Sequence, residues 1–522
     1  MSKSPREIEL KLELGETDLT VLREAGPPEG YSCEAVQEVK LRSIYFDTPE
    51  DDLKKAGISL RLRNLGTKWV QTLKIGTGVS GGLSSPIEIE KPVSDDRLDL
   101  KAINDTRASR VLAAAIGDKV LGPRFETVIS RLIWDLKDPE DNSRIEVALD
   151  TGHVKAGEKT APLCEVEFEL KAGSIPALLK AARTTVKSVP FRFSPSNKAG
   201  RGYRLLAGKG KGKKKALKPQ KVSIDARDTT ERAFQIILRS CLEQIALARV
   251  SILHSDDPEG PHRLRIALRK LRSAFSLFKP ALAQGSCHAL DVTARNLAQI
   301  GGEVRDHDVL CLDIVSSLQG VTPKAIALEP LATLLAARAS TKRVALRTEL
   351  SQSAVNDFLF NLADFIESRG WRDPSDKGQK AILSQPVEIL ASMALDKQWK
   401  RVSRFGARLD ELTVPERHEM RKALKKMRYG TEFFGPLFPK QSVKPFLKRM
   451  QRLQDIFGYL NDVAMAEKLL HLKDVSPKEA HQCAAAIGFV IGWHEATCAS
   501  QWPSARRFWL DTQTIPRFWR SS

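Results

Sequence analysis

The sequence lacks the features that mark disulfide-stapled, zinc-stapled and membrane-spanning proteins. Its seven cysteines are odd in number and form no CxxC pair, which argues against a disulfide framework and a structural zinc site. No apolar run approaches the roughly 18–20 residues of a membrane helix, and charges replace an apolar signal segment in the first ten residues. Aromatic residues make up only 6% of the chain. These absences predict a soluble protein of the reducing cytoplasm, without a membrane partner.

Charge is distributed unevenly along the 522 residues. The formal net charge is +19, from 83 basic and 64 acidic residues. Residues 1–200 contain 30 basic and 31 acidic side chains, whereas residues 201–522 contain 53 and 33. A hydrophobic fraction of 42% excludes a largely disordered chain. The neutral front and the basic back therefore predict different roles, and we expect the back half to meet a polyanion.

Changes of pattern divide the chain into three parts. Up to about residue 206, period-two alternation and Gly-rich turns predict antiparallel strands with interspersed helices. Residues 207–221 are rich in lysine and glycine and contain no acid, which favours a self-repelling linker over a polyanion contact. From residue 222 to about 515, apolar spacings of three and four predict an all-α domain. The chain is therefore expected to consist of an α+β domain, a linker and a helical domain.

The helical part contains an internal repeat at a fixed offset of 156 residues. His262-Arg263-Leu264-Arg265 recurs as His418-Glu419-Met420-Arg421, and Phe278 recurs as Phe434. The agreement runs without a gap across about 45 positions, which chance does not explain. It predicts two homologous halves, over about residues 222–380 and 381–515.

In the first part, the polar faces of the predicted strands carry charges of both signs. Residues 7–14 alternate without exception, with Glu7, Glu9 and Lys11 on one face and apolar residues on the other. A solvated edge strand explains one such pattern, but similar patterns recur in 59–63, 72–74, 88–90, 146–150 and 165–171. They favour a closed or nearly closed barrel with a charged, wet lumen and an apolar exterior covered by helices such as 175–183. Such a lumen suits a polyphosphate with a divalent metal, because cations bind phosphate oxygens and carboxylates bind Mg²⁺ or Mn²⁺.

The ordered series of motifs in residues 4–206 resembles the CYTH family of triphosphate tunnel metalloenzymes. The resemblance is carried by Glu7-x-Glu9-x-Lys11, Tyr45-Phe46-Asp47-Thr48, Leu60-Arg61-Leu62-Arg63, Thr72-Leu73-Lys74, Glu88-x-Glu90, Phe125-Glu126-Thr127 with Arg131, Glu146 to Asp150, Glu165-x-Glu167 and Asn197-Lys198-Ala199. It implies an eight-stranded antiparallel tunnel that hydrolyses a tri- or polyphosphate with Mg²⁺ or Mn²⁺. One departure is Pro86, where related sequences often have arginine.

Site residues follow from this resemblance by position. Phosphate-binding residues would be Arg61, Arg63, Lys74, Arg131 and Lys198. Metal ligands or residues that orient the attacking water would be Glu7, Glu9, Glu90, Asp150, Glu165 and Glu167. Glu7, Glu9 and Lys11 would be catalytic, with Lys11 also shaping the triphosphate pocket.

Two helices in the back half carry matching basic stripes. The first stripe consists of His262, Arg265, Arg269 and Arg272, and the second consists of His418, Arg421, Lys425 and Arg428. A solvated helix face normally interleaves glutamate for i,i+4 pairing, but residues 263–279 contain no acid. The repeated stripes therefore favour an anion-binding groove. Each histidine is expected to donate to phosphate or cap its helix, and Asp306 is expected to hold an arginine of the stripe.

The repeated segments, with Arg305-Asp306-His307-Asp308-Val309 and Leu460-Asn461-Asp462, resemble the CHAD helical domain over about residues 222–515. That resemblance implies two four-helix bundles around a basic groove that binds inorganic polyphosphate. The halves are not identical, since Phe275 corresponds to Thr431 and Asp308 to Ala464.

Together the two resemblances predict a cytoplasmic inorganic triphosphatase that converts tripolyphosphate to pyrophosphate and phosphate, joined to a polyphosphate-binding module. Association with polyphosphate granules is part of this expectation. A class IV adenylyl cyclase or thiamine triphosphatase on the same tunnel, and a non-catalytic polyphosphate scaffold, remain open alternatives. Nucleic-acid binding is disfavoured, because no base-stacking aromatics interleave with the basic stripes.

Overall fold

The computed structural model describes residues 7–66, 68–76, 78–79, 82–189, 191–194, 196–208, 222–471 and 476–520. Residues 209–221, most of the predicted linker, lie outside the described residues. The chain forms two compact units. The N-terminal unit comprises Met1–Pro219 and Ser353–Arg369, and the helical unit comprises Gln220–Gln352 and Gly370–Ser522. The domain limits drawn from sequence stay predictions.

A curled antiparallel sheet forms the centre of the N-terminal unit. Among the described residues it has ten strands, of which eight contain five or more residues and two contain only two. The strands are β1 (Glu9–Glu13), β2 (Ser32–Asp47), β3 (Ile58–Asn64), β4 (Trp69–Ile75), β5 (Leu83–Ser84), β6 (Ile87–Val93), β7 (Gly122–Lys137), β8 (Arg144–Ala156), β9 (Lys159–Ala172) and β10 (Arg192–Phe193). The predicted α+β tunnel is confirmed, with two short strands added to its eight long ones.

The order of the strands closes the sheet around a lumen. It runs β10-β1-β9-β8-β7-β2-β3-β4-β6, and β5 pairs with β1. The Glu7 amide donates a hydrogen bond to the Pro86 carbonyl, 3.3 Å away and just before β6. The first and last long strands of the path therefore approach each other.

Strand register decides which charges meet inside. Asp150 lies opposite Arg131 on one side and Glu165 on the other, and Lys11 lies opposite Glu167. Because successive side chains alternate across a strand, the intervening residues point outward. Leu12 and Phe168, for example, are fully buried on the outer face. The predicted inversion, with charges inside and apolar side chains outside, is what the structure shows.

Short helices pack against the sheet, and most of them cover its apolar exterior. They are α1 (Glu16–Ala25), α2 (Asp52–Lys55), α3 (Thr106–Ile116), α4 (Ile175–Thr185) and α5 (Lys198–Leu206). One core cluster joins α2 and α3 to the outer face of β3 through Leu53, Leu112 and Leu60. Helix α5 instead packs on the inner face, where Phe125 and Ile129 lie on the same side of β7 as Arg131. Removal of this apolar surface from water, at roughly 25 cal/mol per Å², stabilises a sheet whose inner face is polar.

The remaining helices repeat in two groups. The described helices are α6 (Thr230–His254), α7 (Glu259–Leu277), α8 (His288–Asp308), α9 (Glu329–Ser351), α10 (Ser353–Glu367), α11 (Lys377–Ser384), α12 (Val387–Gly406), α13 (Val414–Phe434), α14 (Lys440–Ala466) and α15 (Pro477–Gln513). Helices α6 to α9 pack in succession, as do α12 to α15. The starts of α12 and α13 follow those of α6 and α7 at close to the predicted offset. The predicted all-α region is confirmed.

Helices α7 and α13 pair about an approximate two-fold axis. The Lys270 ammonium lies 3.0 Å from a Glu432 oxygen, and the Lys426 ammonium contacts the Ser276 hydroxyl. In the 156-residue repeat, position 270 corresponds to 426 and position 276 to 432, so these two contacts are equivalent. The pairing brings the two basic stripes together.

Helix α10 belongs to the N-terminal unit, although the sequence alone placed it in the helical domain. It packs against α4. Its exposed residues Ala354, Asp357 and Asn361 lie on one face, so helical periodicity predicts an amphipathic helix but not the partner of its apolar face. None of the described helices is both long and apolar enough to span a bilayer.

Candidate active site and basic groove

The lumen of the curled sheet is a cavity of about 490 Å³. Among the described residues that line it, seven are basic and seven are acidic. The basic residues are Lys11, Arg61, Arg63, Lys74, Arg131, Lys171 and Lys198, and the acidic ones are Glu7, Glu9, Glu88, Glu90, Glu146, Glu167 and Glu169. The lining includes nearly all the site residues predicted from sequence. Asp150 and Glu165 instead lie fully buried at its inner end.

Asp150, Glu165 and Glu167 form a triad of carboxylates at this inner end. One oxygen of each lies within 4.8 Å of the others. The triad arises because Asp150 and Glu165 are register partners on β8 and β9, and Glu167 is two residues further along the same inward face. Three hard oxygen ligands that converge in this way fit a divalent cation.

Cations surround the triad and keep Asp150 and Glu167 ionised. Arg131 donates two hydrogen bonds to Asp150, both 2.7 Å long, and a third of 2.6 Å to Glu167. Lys198 lies 2.7 Å from Asp150 and 2.8 Å from Glu167. Burial alone would raise the pKa of Asp150, but Arg131 and Lys198 hold that pKa below its usual value. The same balance, with Lys11 as the strongest cation, keeps the pKa of Glu167 well below normal.

A second acidic group lies on β1 and β6 around Lys74. The Lys74 ammonium contacts Glu7 and lies 3.2 Å from Glu88 and 4.0 Å from Glu9. Burial and a hydrogen bond that Glu88 donates to Glu7 raise the pKa of Glu88 to about 8, so Glu88 carries a proton at neutral pH while Glu7 is ionised. Lys11 links the two acidic groups, because its ammonium contacts Glu167 and lies 2.7 Å from Glu9.

Arg61 and Arg63 lie on β3, and among the described residues neither makes an ion pair shorter than 3.7 Å. The Arg61 guanidinium lies 3.8 Å from Glu88 and 3.7 Å from Glu90, and its buried Nε has no hydrogen-bond partner among the described residues. Burial and the neighbouring Arg61 and Arg131 lower the pKa of Arg63 to about 10. Buried guanidinium groups in this situation form a site for an anion.

Helix α5 delivers Lys198 into the lumen. The Asn197 side chain caps it, accepting a hydrogen bond of 2.8 Å from the Gly200 amide. At the other end, the Tyr203 hydroxyl donates a 2.5 Å hydrogen bond to the buried Asp47 carboxylate. Asp47 also accepts bonds from the backbone amides of Thr48 and Leu53, so its motif positions α5 and lies outside the phosphate site.

Several residues of the site were not among those predicted. Glu146, Glu169 and Lys171 line the lumen, and the period-two pattern of β8 and β9 could have indicated them. Arg201 lies 2.8 Å from both Glu165 and Glu13. Its spacing of three from Lys198 puts it on the same helix face, which was the available signal.

The helical unit contains a groove of about 1210 Å³. Of the predicted stripe residues, those that line it are Arg269, Arg272, His418, Arg421 and Lys425. Lys279, Lys422 and Lys426 add further positive charge, and three aspartates also contribute to the lining.

His262, Arg265 and Arg428 do not belong to the groove lining. Arg265 donates a 2.9 Å hydrogen bond to Asp306, the ion pair expected from sequence. Arg428 donates to the Gln451 side chain, 2.6 Å away. Partners on neighbouring helices, which a stripe on one helix does not reveal, account for the difference.

Inside the groove the two stripes repel each other. Burial and the nearby Arg269 and Arg421 lower the pKa of Lys425 to about 6. Burial and Arg265 lower the pKa of Arg269 to about 10. The buried Nε of Arg421 has no hydrogen-bond partner among the described residues. Desolvated cations of one sign, held together by the pairing of α7 and α13, favour a polyanion as the ligand.

Comparison with known proteins finds a family for each of the two parts of the chain. The CYTH domain family model matches residues 5–203, and the CHAD domain family model matches residues 236–471. The chain therefore contains a CYTH domain followed by a CHAD domain.

Among curated proteins, an inorganic triphosphatase from Haemophilus influenzae is 32% identical over 169 residues, which are 32% of this chain and 47% of that protein. The chain thus spans about half the length of this relative.

Two solved structures are similar over part of the chain. The CHAD domain of Ricinus communis is 25% identical, covering 56% of this chain and 96% of its own, with a TM-score of 0.48. A Hippeastrum adenylyl cyclase homologue, described as having a dominant triphosphatase activity, is 20% identical, covering 39% of this chain and 96% of its own, with a TM-score of 0.29.

Proposed function

We propose that the N-terminal unit is a metal-dependent inorganic triphosphatase. The observation that carries this proposal is the lumen itself, where buried arginines and lysines surround a converging carboxylate triad. A polyphosphate satisfies the cations, and a divalent metal satisfies the carboxylates. The curated relative named inorganic triphosphatase supports the same activity.

The chemistry of the donor set fits Mg²⁺ or Mn²⁺. Asp150, Glu165 and Glu167 offer oxygen ligands only, which these hard cations prefer. Glu7 and Glu9 provide a second group of oxygens on the other side of Lys11. When bound, the metal would supply a Lewis acid next to the phosphate chain.

The side chains of this chain would bind and orient the substrate. Arg61, Arg63 and Arg131 would neutralise phosphate oxygens as charge spreads in the transition state, with Lys74 and Lys198 at either end of the row. Glu7, which is ionised, and its neighbour Glu9 would orient the attacking water. Lys11, whose pKa the carboxylates of Glu167 and Glu9 raise despite its burial, stays charged and separates the two acidic groups.

An inorganic substrate fits the lumen better than a nucleotide or a thiamine ester. Among the described lining residues, the aromatic one is Tyr45. Its ring already stacks on Phe125, with centroids 4.7 Å apart, and its phenol faces Arg61. A base or a thiazole ring would need a stacking surface that these residues do not offer.

Phosphate release from tripolyphosphate, pyrophosphate, ATP and thiamine triphosphate tests the proposal. With Mg²⁺ or Mn²⁺, tripolyphosphate should give the highest kcat/KM, and chelation of the metal should abolish the reaction. Cyclic AMP formation from ATP would identify a cyclase. Absence of hydrolysis with every substrate would identify a scaffold.

The helical unit would bind long-chain inorganic polyphosphate in its groove, which would also place the protein at polyphosphate granules. Internal phosphates of such a chain are strongly acidic. They would therefore be fully ionised when they reach Arg269, Arg421 and Lys425. We expect binding to weaken steeply with salt, because each neutralised phosphate releases a counterion.

Polyphosphate binding should be coupled to proton uptake by Lys425. Arg265 and Arg269 on α7, Arg421 and Tyr429 on α13 and Asp462 on α14 influence this ammonium. In the free groove its pKa is about 6, so the amine is mostly neutral above pH 7, and a bound polyanion would raise that pKa. Affinity should therefore fall by up to about tenfold per pH unit as pH rises above 6. Calorimetry in buffers of different ionisation enthalpy measures the uptake.

The Lys425→Arg variant provides the matched control, because a guanidinium keeps its proton. Its affinity should be nearly independent of pH between 6 and 8. An equal slope in the variant and the wild-type protein would show that the proton goes elsewhere.

A further inference from the structure

Helix α10 is the segment of the CHAD match that lies in the N-terminal unit. Its buried residues include Phe358, Leu359, Phe360, Leu362 and Ile366. Ala354, Asp357 and Asn361 are exposed on the opposite face, so α10 is an amphipathic helix whose apolar face is covered. The N-terminal unit thus takes part of its packing from beyond residue 350.

Phe360 is the point at which α10 packs on the end of the sheet. Its ring centroid lies 5.2 Å from that of Phe191 and 5.2 Å from that of Phe193. The Arg183 guanidinium of α4 lies 5.6 Å from the Phe360 centroid and donates a 2.6 Å hydrogen bond to the Asn361 side chain. Phe191 and Phe193 are 5% and 2% exposed, so the loss of the Phe360 ring would open a cavity beside them.

Phe193 connects this contact to the strand that carries the catalytic candidates. It lies opposite Leu12 in the β1–β10 pairing. The amide of the next residue, Ser194, donates a 2.9 Å hydrogen bond to the Lys11 carbonyl, and the Lys11 amide donates one of 2.9 Å to Gly82. A methyl group added at Gly82 would lie only 2.7 Å from the Phe193 ring, so the packing leaves little room. The backbone of Lys11 is thereby held on both sides through contacts that include Phe193.

We infer that Phe360 is a positioning residue for β1, and that the triphosphatase site depends on this helix of the CHAD segment. The inference rests on the proposed function of the lumen. Glu9 and Lys11 lie on β1. The phosphate-binding candidates belong to other elements, and they are Arg61, Arg63, Lys74, Arg131 and Lys198. Loosening β1 therefore displaces the groups that act in the chemical step and leaves most of the phosphate contacts in place.

The test compares Phe360→Ala and Phe360→Leu in the full chain with Mg²⁺ and tripolyphosphate. Phe360→Ala should lower kcat by about tenfold, because a small misplacement of reacting groups is costly, and KM should change less than twofold. Phe360→Leu fills most of the volume and should recover most of the rate. Polyphosphate affinity should match that of the wild-type protein in both.

Phe278→Ala is the matched control. Phe278 is a fully buried phenylalanine of the helical unit, packed against Phe234 with centroids 4.7 Å apart. Its truncation should lower stability by a similar amount, about 3–5 kcal/mol, without altering kcat for tripolyphosphate. An equal fall of kcat in this control would mean that general destabilisation, and not β1, is responsible.

Hydrogen exchange separates this inference from the proposed function. In Phe360→Ala, the amides of Lys11 and Ser194 should exchange at least about tenfold faster, whether or not tripolyphosphate is the substrate. Unchanged exchange at both amides would overturn the inference even if the wild-type protein is an active triphosphatase. If Phe360→Ala fails to fold, Phe360→Val, which also removes most of the ring, provides the same comparison, and wild-type exchange and kcat in that variant would count against the inference.

Discussion

Asp150→Asn is expected to lower kcat for tripolyphosphate by roughly a thousandfold. Asp150 receives two hydrogen bonds from Arg131 and one ion pair from Lys198, and it belongs to the proposed metal triad. The amide removes one metal ligand and one negative charge without changing the size of the side chain. Steady-state kinetics with titrated Mn²⁺, together with calorimetric Mn²⁺ binding, measures both losses.

The same substitution should destabilise the fold, because Arg131 and Lys198 keep their charges in a buried site with one carboxylate fewer. Removal of one partner from a buried ion pair typically costs about 3–5 kcal/mol. Glu126→Gln is the control, since Glu126 pairs with the exposed Arg42 on the outer face of β7 and should lose less than about 1 kcal/mol and no activity. Wild-type Mn²⁺ affinity in Asp150→Asn would show that the triad does not hold the metal.

The second large effect concerns the groove. The triple substitution Arg269→Ser, Arg421→Ser and Lys425→Ser should weaken polyphosphate binding by about a hundredfold or more and flatten its dependence on salt. Tripolyphosphate hydrolysis in the N-terminal unit should continue at the wild-type rate. Fluorescence anisotropy with labelled long-chain polyphosphate, over a series of salt concentrations, provides the measurement.

The triple variant should also be more stable than the wild-type protein in the absence of ligand. In the wild-type protein the two guanidinium groups and the Lys425 amine are largely buried and depress one another's pKa, so the folded state holds them at a cost that a polyanion relieves. In the control, serine replaces Lys440, Lys444 and Lys448, which are exposed on α14. It removes the same number of basic residues as the triple variant. If this control loses as much affinity, binding depends on net charge and not on the groove.

Much of the lumen could be predicted from sequence because a strand places alternate residues on opposite faces. Glu9, Lys11, Arg61 and Glu167 are in the lumen for this reason alone. The depth at which a residue lies along the lumen could not be predicted in this way. Asp150 and Glu165 are sealed at the inner end because α5 brings Lys198 and Arg201 over them, and contacts between distant segments leave no local pattern.

The groove illustrates the same limit for helices. A spacing of three and four placed Arg265 and Arg269 on one stripe, but Asp306 of the next helix draws Arg265 aside while Arg269 stays in the groove. The 156-residue repeat predicted two homologous halves, but the pairing of α7 with α13 and the crowding that depresses the pKa of Lys425 depend on how closely the two helices pack. Periodicity thus predicts a face, and the partner of that face decides its chemistry.

Helix α10 has a consequence for how such proteins can be recombined. An exchange of modules at the lysine-rich junction would transplant α10 together with the C-terminal part of the chain. The tunnel that stays behind would lose the helix that covers Phe191 and Phe193. A viable chimaera would have to carry residues 353–369 from the same parent as the tunnel, or replace both phenylalanines with polar residues. The two modules of this chain should therefore be inherited as a pair, and a crossover between Gly208 and Val222 alone should be selected against.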